Sequence, residues 1–512
     1  MSTTQWSTSE TAGADAMDGA DLDPRNEDEW AALQRAGQRL LEHTLERYRQ
    51  LRDRPVYEPV PARVKQSLTA APPREGLGVE AALERALELI APFGPGNVDP
   101  RFWGWVLGAG NLPGMLGQWL ASSMNANAWA GDQAPVWLEL EVLRWFRDWF
   151  EFPQTSSGLL LEGTSSANVL ALAIARHRAT NGDVARRGLA GRAVLRLYCS
   201  SETHVSIAKA AQLLGLGRDG VCWVPARPDG SGDVARLERA IEDDRRAGLQ
   251  PFCVVGSAGT VGVGALDPLL ELQALSARHG LWFHVDGAIG ALGYLSPALR
   301  PRLAGLGLAD SLAFDLHKWA QVPYDCGCLL VRDGALHRAA FALDTDYLGT
   351  TDGGLTRHGS PAFQDLGPGL SRPDRATKVW MTFMAIGSER IVRVFEANVA
   401  QARWLGQRIQ REPELELANT VALNIVCFRY RAGCVDDGAL GSLQEHIASE
   451  LRASGLCVLS PFRVGGVPCL RVALSNHRTQ QGDLESLVQR VLELGRLELG
   501  RRGSTRSSSA AR

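Results

Sequence analysis

Lys65, Lys209, Lys318 and Lys378 are the only lysines in this 512-residue chain, which carries 54 Lys plus Arg. A chain that writes nearly every cation as arginine, always charged and a poor nucleophile, has kept a deprotonatable amine at Lys318, just past the apolar run Ser311-Leu312-Ala313-Phe314. Asp286 ends a second such run, Leu281-Trp282-Phe283-His284-Val285. A carboxylate leaving an apolar strand needs a cation or a donor for a partner. His204 follows a third run, and Gly163-Thr164-Ser165-Ser166-Ala167-Asn168 opens a helix with small hydroxyl residues. Free N–H groups and the positive end of the dipole make that helix start a place for a phosphate. Each residue alone also has a plainer reading: a surface lysine, a Ser/Thr helix cap, a capping histidine. Taken together, in the order loop, His, Asp, Lys, they match what pyridoxal 5′-phosphate requires. The lysine forms the Schiff base, the aspartate keeps the pyridine nitrogen protonated, and the helix end grips the phosphate.

These residues need a scaffold that brings strand exits together. Short apolar runs at 193–199, 221–224, 252–255, 281–285, 311–314 and 327–331 alternate with amphipathic helices at 167–178, 204–214, 233–246 and 269–279. The pattern predicts an α/β fold, a mostly parallel sheet with helices on both faces and ligands beyond the carboxyl ends of its strands. Asp267 is placed to cap the helix after it. The expected organisation is a disordered acidic tail at 1–26, an N-terminal helical segment at 27–115, a large domain at 116–386, a small C-terminal α+β domain at 387–500 and a disordered tail at 501–512. In the small domain strands are expected at 422–428 and 469–472, with helices at 440–454 and 483–498. The glycine-rich stretch 344–372 is too long for a plain connection and reads as a lid or binding loop.

Bulk properties exclude several classes. A formal charge of −3 offers no basic field for nucleic acid. No run of 18 apolar residues is present, so no membrane span is expected. Nine cysteines in no regular framework, behind an N-terminus without a secretory pattern, point to a reducing, cytoplasmic setting. Cys326 and Cys328 lie in an apolar run without zinc spacing, and no metal is expected there.

The segments Thr203-His204-Val205-Ser206, Ser257-Ala258-Gly259-Thr260, His284-Val285-Asp286-Gly287-Ala288 and His317-Lys318-Trp319 resemble the group II pyridoxal-dependent decarboxylases, the family of aromatic L-amino acid, glutamate, histidine and diaminobutyrate decarboxylases. The likeness runs from about residue 30 to 498. It implies the pyridoxal-phosphate fold type I, with a seven-stranded sheet in the large domain. It also implies a homodimer with active sites at the interface, against whose partner subunit residues 27–115 pack. By the same resemblance Thr164 and Ser165 hold the phosphate with His317, and Asp315 lies beside it. His204 stacks on the ring, Thr260 lies close to cofactor or substrate, Asp286 meets the pyridine nitrogen, Ala288 packs under the ring and Lys318 carries the cofactor. Phe102, Trp105 and Val106, within residues 100–108, form part of the substrate pocket.

Three departures bear on function. Asp315 stands where many members have Asn, and a carboxylate there must be neutralised or turned away. Val261 replaces a second Thr after Thr260. Phe363 falls near the loop position where aromatic decarboxylases carry the tyrosine that protonates the substrate carbon. In this family its loss goes with decarboxylation coupled to oxidative deamination, giving an aldehyde. The expected function is decarboxylation of an L-α-amino acid, with an aromatic or bulky apolar side chain favoured by the residues around Phe102 to Val106. An acidic substrate would draw on Arg357 or Arg372. The rivals are an aldehyde synthase or other pyridoxal lyase, and a non-catalytic subunit of the same fold.

Overall fold

A computed structural model of the chain describes residues 22–343, 361–431 and 437–509. Most of the loop expected at 344–372, Arg357 included, lies outside the described residues. Tertiary contacts group the chain into two units, Met1–Pro95 and Gly96–Arg512. Residues 96–115 therefore fall with the larger unit, because Trp103 and Val106 are built into its cores.

In the first unit, helix α1 (Glu27–Arg49) starts on Asn26, whose side chain accepts the Glu29 N–H. Glu27, Asp28 and Glu29 in its first turn complement the helix dipole. It pairs with α2 (Val79–Leu89) through the exposed ion pairs Arg35–Glu80 and Arg39–Glu84. Trp30, Leu33, Leu40 and Leu41 of α1 stay exposed.

The second unit holds two sheets. The larger has the order β1-β7-β6-β5-β4-β2-β3, from β1 (Ser157–Leu161), β2 (Leu195–Ser200), β3 (Val221–Val224), β4 (Gln250–Ser257), β5 (Trp282–Asp286), β6 (Ser311–Asp315) and β7 (Gly327–Val331). Strands β2 to β6 are mutually parallel, while β7 runs antiparallel to both β6 and β1. Every residue of β5, β6 and β7 is buried, which is why those runs read as continuously apolar. The strand β1, whose sequence SGLLL lacks β-branched residues, is not among the predicted runs. Register sets the functional edge. Gly327 faces Leu161 on one side and Asp315 on the other, and Asp286 faces Ser257. The exits of β1, β6, β5 and β4 thus lie level. Helices α3 (Leu112–Met124), α4 (Ala134–Trp149), α5 (Thr164–Ala179), α6 (Ser206–Leu213), α7 (Val234–Arg246), α8 (Leu269–His279) and α9 (Ala376–Ile386) accompany this sheet.

The smaller sheet is antiparallel in the order β10-β11-β9-β8, from β8 (Leu415–Leu417), β9 (Ile425–Tyr430), β10 (Ser460–Val464) and β11 (Val467–Ala473). Alternation along its strands sorts residues by face. Val426, Phe428, Leu470 and Val472 pack into a core with α10 (Ser388–Gln410), α11 (Asp437–Ala453) and α12 (Gln481–Ser509), whereas Ile425, Cys427, Cys469 and Ala473 meet Val106, Val263 and Ile289. Arg471 shares the second face. The last helix continues through 501–509, where a disordered tail is expected; once packed, a helix extends by one hydrogen bond per added residue. No helix among the described residues is long and apolar enough to cross a membrane.

Candidate active site

The level strand exits enclose a cleft of about 640 Å³ lined by Thr164, Ser165, His204, Thr260, Asp286, Ala288, Asp315, His317, Lys318, Trp105 and Val106. Eleven sequence-derived candidates thus converge on one space. Phe102 is buried beside it, tilted against Trp105 with ring centroids 6.0 Å apart. Phe363 is elsewhere: it is 3% exposed in the core, with the Arg372 guanidinium 4.7 Å from its ring centroid. Arg372 is also committed, to buried Glu139 at 2.7 Å and to the Ala128 and Leu160 carbonyls.

At one end of the cleft, α5 begins at Thr164, whose N–H donates to Asp315 Oδ1 at 2.7 Å. The Thr164 hydroxyl is buried without a hydrogen-bond partner. Gly163 brings the backbone close: a Cβ there would lie 3.3 Å from His317 Cε1. His317 accepts the Cys326 N–H on Nδ1 at 3.1 Å and stacks on Tyr324 at 4.2 Å between centroids.

The Asp315 carboxylate is neutralised rather than turned away, since Lys318 Nζ lies 2.8 Å from its Oδ2. Burial pushes the Asp315 carboxyl up, but the Lys318 and His317 charges and the Thr164 N–H outweigh it and hold it below the usual range. An i, i+3 ion pair within one turn after β6 therefore orients the lysine.

Toward the other end, Asp286 takes one donor on each oxygen, Asn168 Nδ2 on Oδ2 at 2.9 Å and the Ala288 N–H on Oδ1 at 3.1 Å. His204 accepts the Ser206 N–H on Nδ1 at 3.2 Å, which leaves the proton of its neutral ring on Nε2. Burial lowers the His204 pKa, against the pull of Asp286. The Thr260 hydroxyl is spent on its own turn, accepting the Ala265 N–H at 3.0 Å. Asp267 does not cap α8, whose cap position is Pro268; it accepts the Ser257 and Gly232 N–H groups, both at 2.7 Å, and so braces the end of β4.

Among the residues of the site without an assigned role in the sequence reading are Asn168, Tyr324, Phe462 and Arg471. Arg471 is 4% exposed on the cleft wall; its Nε donates to the Gly262 carbonyl at 2.8 Å, Nη1 to Trp105 at 3.1 Å and Nη2 to Val261. No carboxylate pairs with it among the described residues. Its signal was an arginine inside an apolar strand, on the face opposite Leu470 and Val472. Tyr324 and Phe462 gave no comparable signal, since buried-looking aromatics are mostly core.

The residues fit pyridoxal phosphate. An orphaned buried hydroxyl at a helix N-terminus, a lysine at a strand exit and a carboxylate with fixed donors form the donor set that its phosphate, aldehyde and pyridine nitrogen need.

The pyridoxal-dependent decarboxylase conserved domain matches residues 61–431. An aromatic-L-amino-acid decarboxylase of Bacillus atrophaeus is 30% identical over 402 residues, covering 78% of this chain and 82% of the relative. A 4-hydroxyphenylacetaldehyde synthase of Rhodiola rosea is 27% identical, over 87% of this chain and 91% of its own. The crystal structure of Oryza sativa TDC with PLP and tryptamine superposes with a TM-score of 0.85 at 24% identity, covering 93% of this chain and 100% of that one, and shares the fold. With the match over most of its length and the cofactor's donor set in its cleft, the chain belongs to the pyridoxal-dependent decarboxylases, carboxy-lyases of fold type I that work with pyridoxal 5′-phosphate.

Proposed function

We propose that this enzyme releases carbon dioxide from an L-α-amino acid with an aromatic or bulky apolar side chain and returns the amine. The observation that carries the reading is the composition of the cleft around Lys318: Trp105, Val106, Val261, Pro461 and Phe462 give it an apolar wall facing the polar cradle of Thr164, Ser165 and His317. Bound pyridoxal phosphate supplies the electron sink for the bond to the carboxylate. Lys318 is the amine that would hold the cofactor, oriented by its ion pair with Asp315. Asp286, its carboxylate fixed by Asn168 and the Ala288 N–H, would keep a proton on the pyridine nitrogen. His204, neutral and carrying its proton on Nε2, lines the cleft, where it would pack on the cofactor ring and present a donor. Tyr324, whose burial pushes its phenol up to about 12, stays protonated at neutral pH on the phosphate side.

Lys318→Ala should lower turnover by at least ~10³-fold and abolish covalent, borohydride-trappable attachment of the cofactor. Substantial activity in that variant would sink the assignment. A panel of amino acids, with carbon dioxide as readout, tests the substrate class, and inertness toward all aromatic members would end that preference.

Arg471 favours a second reading, an acidic side chain, because its guanidinium has N–H groups beyond the three given to backbone carbonyls. Glutamate or aspartate outperforming every aromatic substrate would select it. Aldehyde formation is the other alternative, supported by the likeness to an aldehyde synthase. Oxygen uptake with peroxide and ammonia release would select that outcome.

We also infer a homodimer. Leu116, Trp119, Leu120 and Met124 on α3, with Trp137 and Trp105, are exposed on one unit, and Trp30, Leu33, Leu40 and Leu41 on the other, more large apolar surface than a monomer keeps in water. On this reading the N-terminal helical segment packs on the partner up to residue 95, residues 96–115 being built into the cores of their own subunit, and the domain limits at 116–386 and 387–500 divide each subunit. Light scattering at the mass of a single chain would refute it. The cysteines among the described residues are all free, which supports a reducing, cytoplasmic setting.

A further inference from the structure

Behind Asp286 runs a line of hydrogen bonds whose direction chemistry fixes at both ends. Trp282 Nε1, a donor only, lies 2.8 Å from Ser311 Oγ. Ser311 Oγ lies 2.8 Å from His284 Nδ1, and His284 Nε2 lies 2.9 Å from Asn168 Oδ1. The Asn168 amide then places Nδ2 at 2.9 Å from Asp286 Oδ2 and 3.0 Å from Ser206 Oγ. At the far end the Asp286 carboxylate only accepts.

One assignment satisfies every atom. Asn168 Oδ1 has no proton to give, so His284 must donate from Nε2. A neutral ring protonated there accepts at Nδ1, so the Ser311 hydroxyl donates to it and receives the Trp282 indole N–H. The Asn168 NH₂ serves Asp286 with one hydrogen and Ser206 with the other. Ser206 Oγ lies 2.8 Å from His204 Nδ1, so its hydroxyl passes the same polarity on to the ring that lines the cleft. A reversed Asn168 amide would set its oxygen against the Asp286 carboxylate and leave His284 Nε2 facing an NH₂ group. The burial of His284 supports the neutral state, holding its pKa at about 4. Alternation carries the geometry: His284 and Asp286 are two residues apart on β5 and point to one side of the sheet, toward α5, while register sets Ser311 opposite His284.

We propose that His284 is a positioning residue for the cofactor. As the neutral Nε2–H tautomer it locks the Asn168 amide so that Asp286 presents one fixed carboxylate orientation and His204 one fixed tautomer to the cleft. A buried line in which every donor points the same way strengthens along its length, and its loss leaves Asn168 free to turn.

The inference rests on the decarboxylase reading, and two measurements on the full-length protein test it. The first is the ¹⁵N spectrum of histidine-labelled wild type with added pyridoxal phosphate, the His284 signals assigned by their loss in His284→Gln. The expected result is a bare Nδ1 and a protonated Nε2 from pH 5.5 to 8. An Nδ1–H or doubly protonated ring overturns the proposal even where His284→Leu does not fold. The second is the dissociation constant for pyridoxal phosphate from tryptophan fluorescence, with the melting temperature of the cofactor-free protein as control for packing. His284→Leu should weaken binding by about tenfold. His284→Gln, whose amide can accept from Ser311 and donate to Asn168, should stay within about threefold of wild type. Folded His284→Leu protein that binds as tightly as wild type overturns the proposal. Wild-type protein that takes up the cofactor without a borohydride-trappable bond at Lys318 overturns the parent reading instead, and the tautomer measurement still decides this one.

Discussion

At the scale of single residues, Asp315 is the member of the cleft with the sharpest conflict of duties. It holds Lys318 at 2.8 Å and the Thr164 N–H at 2.7 Å, so it occupies a donor at the helix start proposed to hold the phosphate. A carboxylate kept ionised beside that position repels a phosphate. Asp315→Asn keeps an acceptor for Thr164 and removes the charge. Cofactor affinity should rise by about tenfold, ~1.4 kcal/mol, in equilibrium dialysis. Weaker binding would show that orientation of Lys318 by the ion pair outweighs the repulsion. The residue scale also shows what could be read beforehand. Lys318, Asp286 and His204 were legible because each is a polar residue at or just past the end of an apolar run, and Thr164 because small hydroxyl residues open a helix there. Arg471 announced itself less clearly, and Asn168 looked like an ordinary residue of a helix's first turn until His284 was placed behind it.

At the scale of elements, the buried pair Glu139–Arg372 ties α4 to β1. Glu139 Oε1 accepts the Leu160 N–H at 2.9 Å while Arg372 donates to the Leu160 carbonyl at 3.1 Å, so two charges satisfy an interior stretch of strand. Burial raises the Glu139 pKa even against Arg372. Removing the cation leaves the carboxyl to take up a proton or stay charged without its partner. Arg372→Ala should cost ~3–5 kcal/mol in urea denaturation, and a loss below ~1 kcal/mol would contradict the role given to the pair. This pair is also why Phe363 is not in the cleft, for its ring packs under the Arg372 guanidinium. Counting along a loop cannot reveal such a side-chain partnership. The parallel core was legible from continuous apolar runs, and β3, β7, α7 and α8 fall at the predicted positions. The strands not predicted are those the pattern describes poorly: β1 without branched residues, β8 of three residues, and β10, whose SPFRV is half wet.

At the scale of the molecule, acid stability follows from buried histidines. An unfolded imidazole titrates near 6.5, whereas burial holds His284 and His337 at about 4 each. Between those values the unfolded chain binds protons that the folded chain refuses. Stability that is full above pH ~6.5 is therefore lost as pH falls through about 4, up to ~3 kcal/mol for each residue. The denaturation midpoint should drop across that window and His337→Gln should flatten the drop; a profile level from pH 7 to 4 would contradict this. The cleft, too, belongs to the whole second unit, because β11 of the small sheet supplies Arg471 and β10 supplies Phe462. One tight spot limits how that cleft can be remodelled. A Cβ at Gly108 would lie 1.8 Å from the His317 carbonyl oxygen and 2.6 Å from that of Lys318. In a directed-evolution library, saturating position 108 would return protein with a displaced lysine whatever the substrate on offer. Trp105, Val261 and Phe462 border open volume, so new substrate ranges are to be sought by varying those three together.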